Sequence, residues 1–105
     1  MKGDEIMFYH LENTDNGHNK FYMISAYAFT DNKTGTDNSV YVSLQWGRIG
    51  TLGQVQHKEF KSRGEAIIFA EEKLNEKLGR GYKIKHTKES RLIVDIPKAN
   101  EKIIG

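Results

Sequence analysis

The chain has 105 residues, with 16 lysines and arginines against 14 aspartates and glutamates, a net charge of +2, 37% hydrophobic and 10% aromatic residues, and no cysteine. That length makes one domain with a modest core, and the lack of cysteine excludes disulfides and thiolate metal sites and suits a reducing, cytoplasmic setting. No apolar run approaches the ~18 residues of a membrane span, and the N-terminal MKGDEIMFYH carries two acids where a signal peptide would be apolar, so no membrane role is expected.

Glu5 to Glu12, containing Ile6 and Phe8 but not cleanly phased, reads as a first strand. Thr14 to Asn19, TDNGHN, is turn chemistry. Lys20 to Phe29 alternates Tyr22, Ile24, Ala26 and Ala28 with Phe21, Met23, Ser25 and Tyr27, which predicts a second strand. After the polar loop Asp31 to Asn38, Val40, Val42, Leu44 and Trp46 share one face of a third strand, so Trp46 starts on the core side. Gly50 to Gly53 reverses the chain into Gln54 to Lys61, a polar edge strand. Ser62-Arg63-Gly64-Glu65 is a capping box. The helix behind it carries Ile67, Ala70, Leu74 and Leu78 as its apolar stripe, with Lys73, Glu76 and Lys77 off it, and stops at Gly79 or Gly81. Tyr82 and a basic stretch follow, then Leu92 to Ile96 as a candidate short strand before Pro97, and an unstructured tail from Lys98 to Gly105.

Strands followed by one helix give the α+β class: a single domain over residues 1–97 in which an antiparallel β-sheet has one amphipathic helix packed across it. One helix covers one face, so the opposite face is expected to be partly wet or covered by the tail.

The small net charge hides an asymmetry. Residues 1–38 hold three lysines against six acids, whereas Lys77 to Arg91 holds six basic residues against Glu89 alone. That run is either a solvated helix end and tail or a basic face that meets phosphates.

Enzyme signatures are poor. His10, His18, His57 and His86 are too dispersed for a local metal motif and read as surface residues, and no serine sits in a nucleophile elbow. No cofactor is implied. Gly47, Gly50 and Gly53 mimic a phosphate loop, but a dinucleotide fingerprint leads from a strand into a helix, whereas a strand follows here. There remains QWGRIGTLGQ, with the only tryptophan beside an arginine. It is either a core tryptophan ending its strand before a glycine hairpin, or an aromatic surface that Gly47 leaves unscreened and Lys20 flanks with charge, the composition of a nucleic-acid stacking site.

Four segments carry a resemblance to a known family: NKFYMI at Asn19 to Ile24, WGRIGTLGQ at Trp46 to Gln54, KEFKSRGEA entering the helix and EKLGRGY closing it. From Asn19 to Tyr82 the chain resembles the WGR domain of DNA-dependent poly(ADP-ribose) polymerases, as a small stand-alone member without their transferase or zinc-finger domains. The resemblance implies an antiparallel sheet crossed by a helix, and a grip on DNA breaks in which Trp46 packs on a 5′ terminal nucleotide, Arg48 supports the break complex, and Asn19 and Lys20 approach backbone phosphate. Tyr82 stands where the family often has tryptophan. The segment from Lys83 to Arg91 has no family counterpart; Lys83 and Lys85 enter as phosphate contacts on charge alone.

The expected function is therefore a non-catalytic, intracellular nucleic-acid-binding module for DNA ends or nicks, with RNA as a possible ligand and Asn19, Lys20, Trp46, Gly47, Arg48, Tyr82, Lys83 and Lys85 as its contact residues. The alternative is a protein-interaction module in which Trp46 and Arg48 anchor a partner, as those residue types do at hot spots.

Overall fold

The computed structural model describes residues 2–89; the candidate strand Leu92 to Ile96, the boundary at residue 97 and the tail lie outside them. The elements are β1 (Lys2–Asn13), a 3-10 turn (Asp15–Gly17), β2 (Lys20–Thr30), β3 (Asp37–Arg48), β4 (Gln54–Phe60), α1 (Arg63–Gly79) and β5 (Lys83–Glu89). All strand pairs are antiparallel, in the order β4-β3-β2-β1-β5. The helix packs against β2, β3 and β4, so the expected α+β architecture is the observed one.

The core lies between α1 and one sheet face. Alternation decides which side chains reach it: Tyr22, Ile24, Ala26 and Ala28 of β2 stand opposite Trp46, Leu44, Val42 and Val40 of β3, and all of these but the half-buried Trp46 are buried. β1 contributes Ile6, Met7, Tyr9 and Leu11. Two consecutive residues, Ile6 and Met7, can both point inward because the β1–β2 register shifts between Glu5 and Met7. That irregularity is why simple alternation cannot phase this strand.

The helix begins as its sequence dictates. Ser62 is the N-cap and its hydroxyl accepts from the Glu65 amide at 3.2 Å. The Glu65 carboxylate reaches back to the Lys61 amide, also 3.2 Å, one residue before the amide a capping box would use. The stripe differs from the expected one. Ala66 and Ala70 are fully buried and Ile67, Phe69 and Leu74 partly so, but Leu78 is 38% exposed. Steps of four, three and four residues from Ala66 lead through Ala70 and Lys73 to Lys77, which leaves Leu78 about 100° off the buried line. Lys77, expected on the solvent side, is only 16% exposed at its side chain; its alkyl stem covers the core while its ammonium stays near the rim. Leu74→Ala should therefore cost about 2 kcal/mol and Leu78→Ala about 0.5 kcal/mol in urea denaturation. The reverse ranking would mean that α1 is rotated on the sheet.

β5 is the other departure from the sequence reading, which placed no strand between Lys83 and Glu89. It adds to the free side of β1, pairing Met7 with Glu89 and Glu12 with Lys83. The register shifts between His10, opposite His86, and Leu11, opposite Ile84, which leaves Lys85 without a partner residue. The extra residue destroys the two-residue period by which a strand is recognised.

Candidate nucleic-acid interface

Five segments meet at one end of the sheet: the end of β1, the start of β2, the end of β3, the last turn of α1 and the start of β5. Register builds the site from there. Tyr22 opposes Trp46, and on the same face one step further out Lys20 opposes Arg48. The Tyr22 and Trp46 rings stack with centroids 5.9 Å apart and 21° between planes. Tyr82 meets Tyr22 edge-on at 6.2 Å, and the Lys77 ammonium sits 4.6 Å from the Tyr22 ring centre. Burial pushes the Tyr22 phenol above its ordinary range, helped by the negative charge of Glu76 and by Tyr82; burial also raises Tyr82. Both rings stay neutral at physiological pH, so the stack is apolar with cations at its edge.

The glycine-rich stretch that carries Trp46 and Arg48 is pinned, not loose. The Arg48 carbonyl accepts from the Thr51 amide at 3.0 Å and from its hydroxyl at 2.7 Å. The Ile49 amide donates to the Asn19 carbonyl at 3.0 Å, and the Gln45 side chain donates to the Leu52 carbonyl at 2.7 Å. Gly53 has a φ of +69°, and a Cβ there would run into the Trp46 carbonyl. At Gly47 a Cβ would come within 2.7 Å of the Gly53 Cα. These two glycines let backbone lie on backbone, which is a reason for them beyond any exposure of the indole.

Lys20 and Arg48 are both exposed, and among the described residues neither meets a carboxylate. Like charges directly opposite one another across a strand pair repel. The pair therefore weakens the sheet it sits in and creates a local positive field. Beside it is an open cleft of about 490 Å³ lined by Gly17, His18, Asn19, Lys20, Gly47 and Arg48, with no acid among them. A larger cleft of about 630 Å³ at the other end mixes Lys58 and Lys61 with Asp37, Glu59 and Glu65 and has no such bias.

Of the residues singled out in the sequence, Asn19, Lys20, Trp46, Gly47 and Arg48 converge here, and Tyr82 joins through Tyr22. Lys83 starts β5 near this end but is paired with Asp15 at 3.4 Å. Lys85 lies on the far edge strand, three strands from Arg48 or about 14 Å by ordinary strand spacing. Sequence reasoning missed Asn13, Tyr22 and Lys77. Asn13 is 5% exposed; its amide donates to the Arg80 carbonyl at 3.4 Å and its side-chain oxygen accepts from the Asp15 amide at 3.2 Å. It ties the helix end to the turn that leads into Lys20. The signal available for it was Asn-x-Asp after a strand, an Asx turn; Tyr22 and Lys77 carried none beyond their place in a stripe.

Among the described residues no cluster of three or more His, Asp or Glu side chains could hold a metal ion, and no helix is long and apolar enough to cross a membrane.

Compared with known proteins, residues 7–89 match the family described as the WGR domain, a span from β1 to the end of β5. No curated protein matches. Among solved structures the chain is similar to a protein from Bacteroides fragilis determined by the Northeast Structural Genomics Consortium, at 29% identity and a TM-score of 0.58. The alignment covers 75% of this chain and 19% of that one, so the chain spans a small part of that protein's length.

Proposed function

The chain belongs to the WGR domain family, a family of non-catalytic nucleic-acid-binding modules, and from that premise we propose that it recognises DNA ends or nicks. Trp46 packs on the terminal nucleotide from its stack on Tyr22, while Lys20, Arg48 and Asn19 hold the adjacent phosphates in the acid-free cleft. The observation that carries the reading is the Lys20–Arg48 pair. A protein gains no stability from two unneutralised cations placed face to face, so their arrangement is explained by an anion between them. Backbone phosphate next to an aromatic ring satisfies both halves of the site.

The test uses Trp46 as the reporter, since it is the only tryptophan. Short duplexes with free or nicked 5′ ends should shift or quench its emission, and a covalently closed DNA of the same sequence should do so much less at equal phosphate. With ~3–5 phosphates met by Asn19, Lys20, Arg48 and part of the β5 run, log K should fall against log salt with a slope of about −3 to −5. Arg48→Gln should reduce that slope by about one while leaving stability within ~0.5 kcal/mol, or raising it, because repulsion is relieved. A peptide or protein partner that binds through Trp46 while every DNA leaves its emission unmoved would favour the interaction-module reading instead.

A further inference from the structure

We propose that Asn16 and Gly17 form a self-modifying site, in which slow deamidation of Asn16 sets a negative charge beside the phosphate cleft and turns the end-binding site down. The effect on binding rests on the reading above, whereas the modification itself stands on the turn alone. TDNGHN holds the one Asn-Gly pair in the chain. Asparagine is most reactive before glycine, which has no side chain to hinder attack by its own backbone nitrogen. The turn displays the pair: both residues are exposed, φ is +54° at Asn16 and +81° at Gly17, and nothing lies within 4 Å of where a Cβ of residue 17 would stand. Asparagine and glycine are the residues that accept such left-handed backbone, so the choice that makes the turn also makes it labile. Asn13, by contrast, is 5% exposed, bonded through both ends of its amide and followed by a β-branched threonine.

The chemistry balances with water alone. The Gly17 nitrogen gives up its proton and attacks the side-chain carbonyl carbon of Asn16; a succinimide ring closes and the amide nitrogen leaves as ammonia. Water then adds to one of the ring carbonyls and breaks its bond to nitrogen. Breaking the new bond leaves aspartate; breaking the original peptide bond leaves isoaspartate, whose main chain runs through the side-chain carbons. In the closed turn this cannot begin, because ψ of 40° at Asn16 sets the Gly17 nitrogen nearly trans to the Asn16 Cβ. The 3-10 turn has to open first. Such openings are frequent where a few exposed bonds, like that of the His18 amide to the Asp15 carbonyl at 3.0 Å, hold the backbone.

Position gives the reaction its consequence. Gly17, His18, Asn19 and Lys20 line the cleft with Gly47 and Arg48, and none of them is acidic. The acid already in the turn, Asp15, is engaged by Lys83 at 3.4 Å. A carboxylate at position 16 sets a new charge against the field of Lys20 and Arg48. Isoaspartate also lengthens the main chain ahead of Asn19, whose carbonyl accepts from the Ile49 amide and so holds β2 to the Arg48 loop. A phosphate seated in the cleft keeps the turn shut. Free protein therefore ages, and bound protein is protected.

The test ages the wild-type protein at mildly alkaline pH, alone and with a saturating blunt duplex, and locates deamidation by peptide mapping. The chain unfolded in guanidinium is the reference, and Asn16→Gly, which keeps the left-handed turn, is the unreactive control. Conversion should concentrate at Asn16, quicken as pH rises, and run several-fold slower with duplex than without. The aged fraction isolated by ion exchange, and Asn16→Asp, should bind the duplex about twofold to tenfold more weakly than fresh protein, by a margin that shrinks as salt is added. Aged Asn16→Gly should bind as it did when fresh. An Asn16 that stays intact in the folded protein while converting in the unfolded chain overturns the site. Conversion without any change in duplex affinity, or a decline that aged Asn16→Gly shares, overturns the regulation. If fresh protein binds no duplex, the end-binding reading fails and the regulation with it, while the peptide map still decides the modification.

Discussion

Gly53→Ala should unfold the protein more effectively than any other single-methyl change in the site. The residue holds a left-handed φ of +69°, which costs an alanine roughly 1–2 kcal/mol. The added carbon would also collide with the Trp46 carbonyl. That carbonyl cannot move aside cheaply, since Trp46 is registered with Gln54 on β4 and with Tyr22 on β2. Overpacking of this kind adds about 1–3 kcal/mol, so the total comes to about 2–5 kcal/mol, a large share of the ~5–15 kcal/mol that holds a domain of this size together. Gly50→Ala is the comparison: its φ of +96° carries the backbone penalty, but nothing lies within 4 Å of the added carbon. Chemical denaturation should rank Gly53→Ala well below Gly50→Ala. Equal midpoints would mean that the loop relaxes freely and that the backbone contact under Trp46 is not what fixes the site.

The largest effect on binding is expected from Trp46→Ala. Base–aromatic stacking is worth about 1–3 kcal/mol, so end affinity should fall by roughly five-fold to over a hundred-fold. What remains should no longer distinguish an end from continuous duplex, because phosphate contacts carry no such information. The same substitution unroofs Tyr22, so the melting temperature will fall too. Trp46→Phe separates the effects: a ring still covers Tyr22, stability largely returns, and end selectivity returns with it if stacking on the ligand is what matters. A Trp46→Ala protein that remains folded and binds ends as the wild type does would remove tryptophan from the recognition surface.

How far these residues could be read from the chain depended on how regular their elements are. β2 and β3 alternate without interruption over Tyr22 to Ala28 and Val40 to Trp46, so their buried face was legible, as was the cap at Ser62. β1 and β5 each contain a register shift, and there periodicity gave a strand without a phase in one case and no strand in the other. The helix stripe was misplaced by one residue at its end because Lys77 is classed by its charge, whereas its position is decided by its alkyl stem and by Tyr22. In the site, Trp46 and Arg48 were visible as neighbours in sequence and Lys20 as a nearby cation, but the opposition of Lys20 and Arg48 is a product of register between two strands. No local pattern contains it.

The placement of β5 bears on how the chain assembles and on how it avoids its own kind. β1 through β4 form a meander of short-range pairings, whereas joining Lys83 to Glu12 closes most of the chain into a loop, an entropic cost repaid only once the other strands stand. β5 is therefore expected to pair last and leave first, and each departure would bare the β1 edge to another strand. When β5 is seated, the outer strand on this side of the described sheet is a segment with lysines at 83, 85 and 88, one of them in a bulge. Charge and irregularity along an outer strand disfavour pairing with a second sheet, so at this edge, opposite the one formed by β4, the least hydrophobic of the described strands is also the one that discourages an added strand.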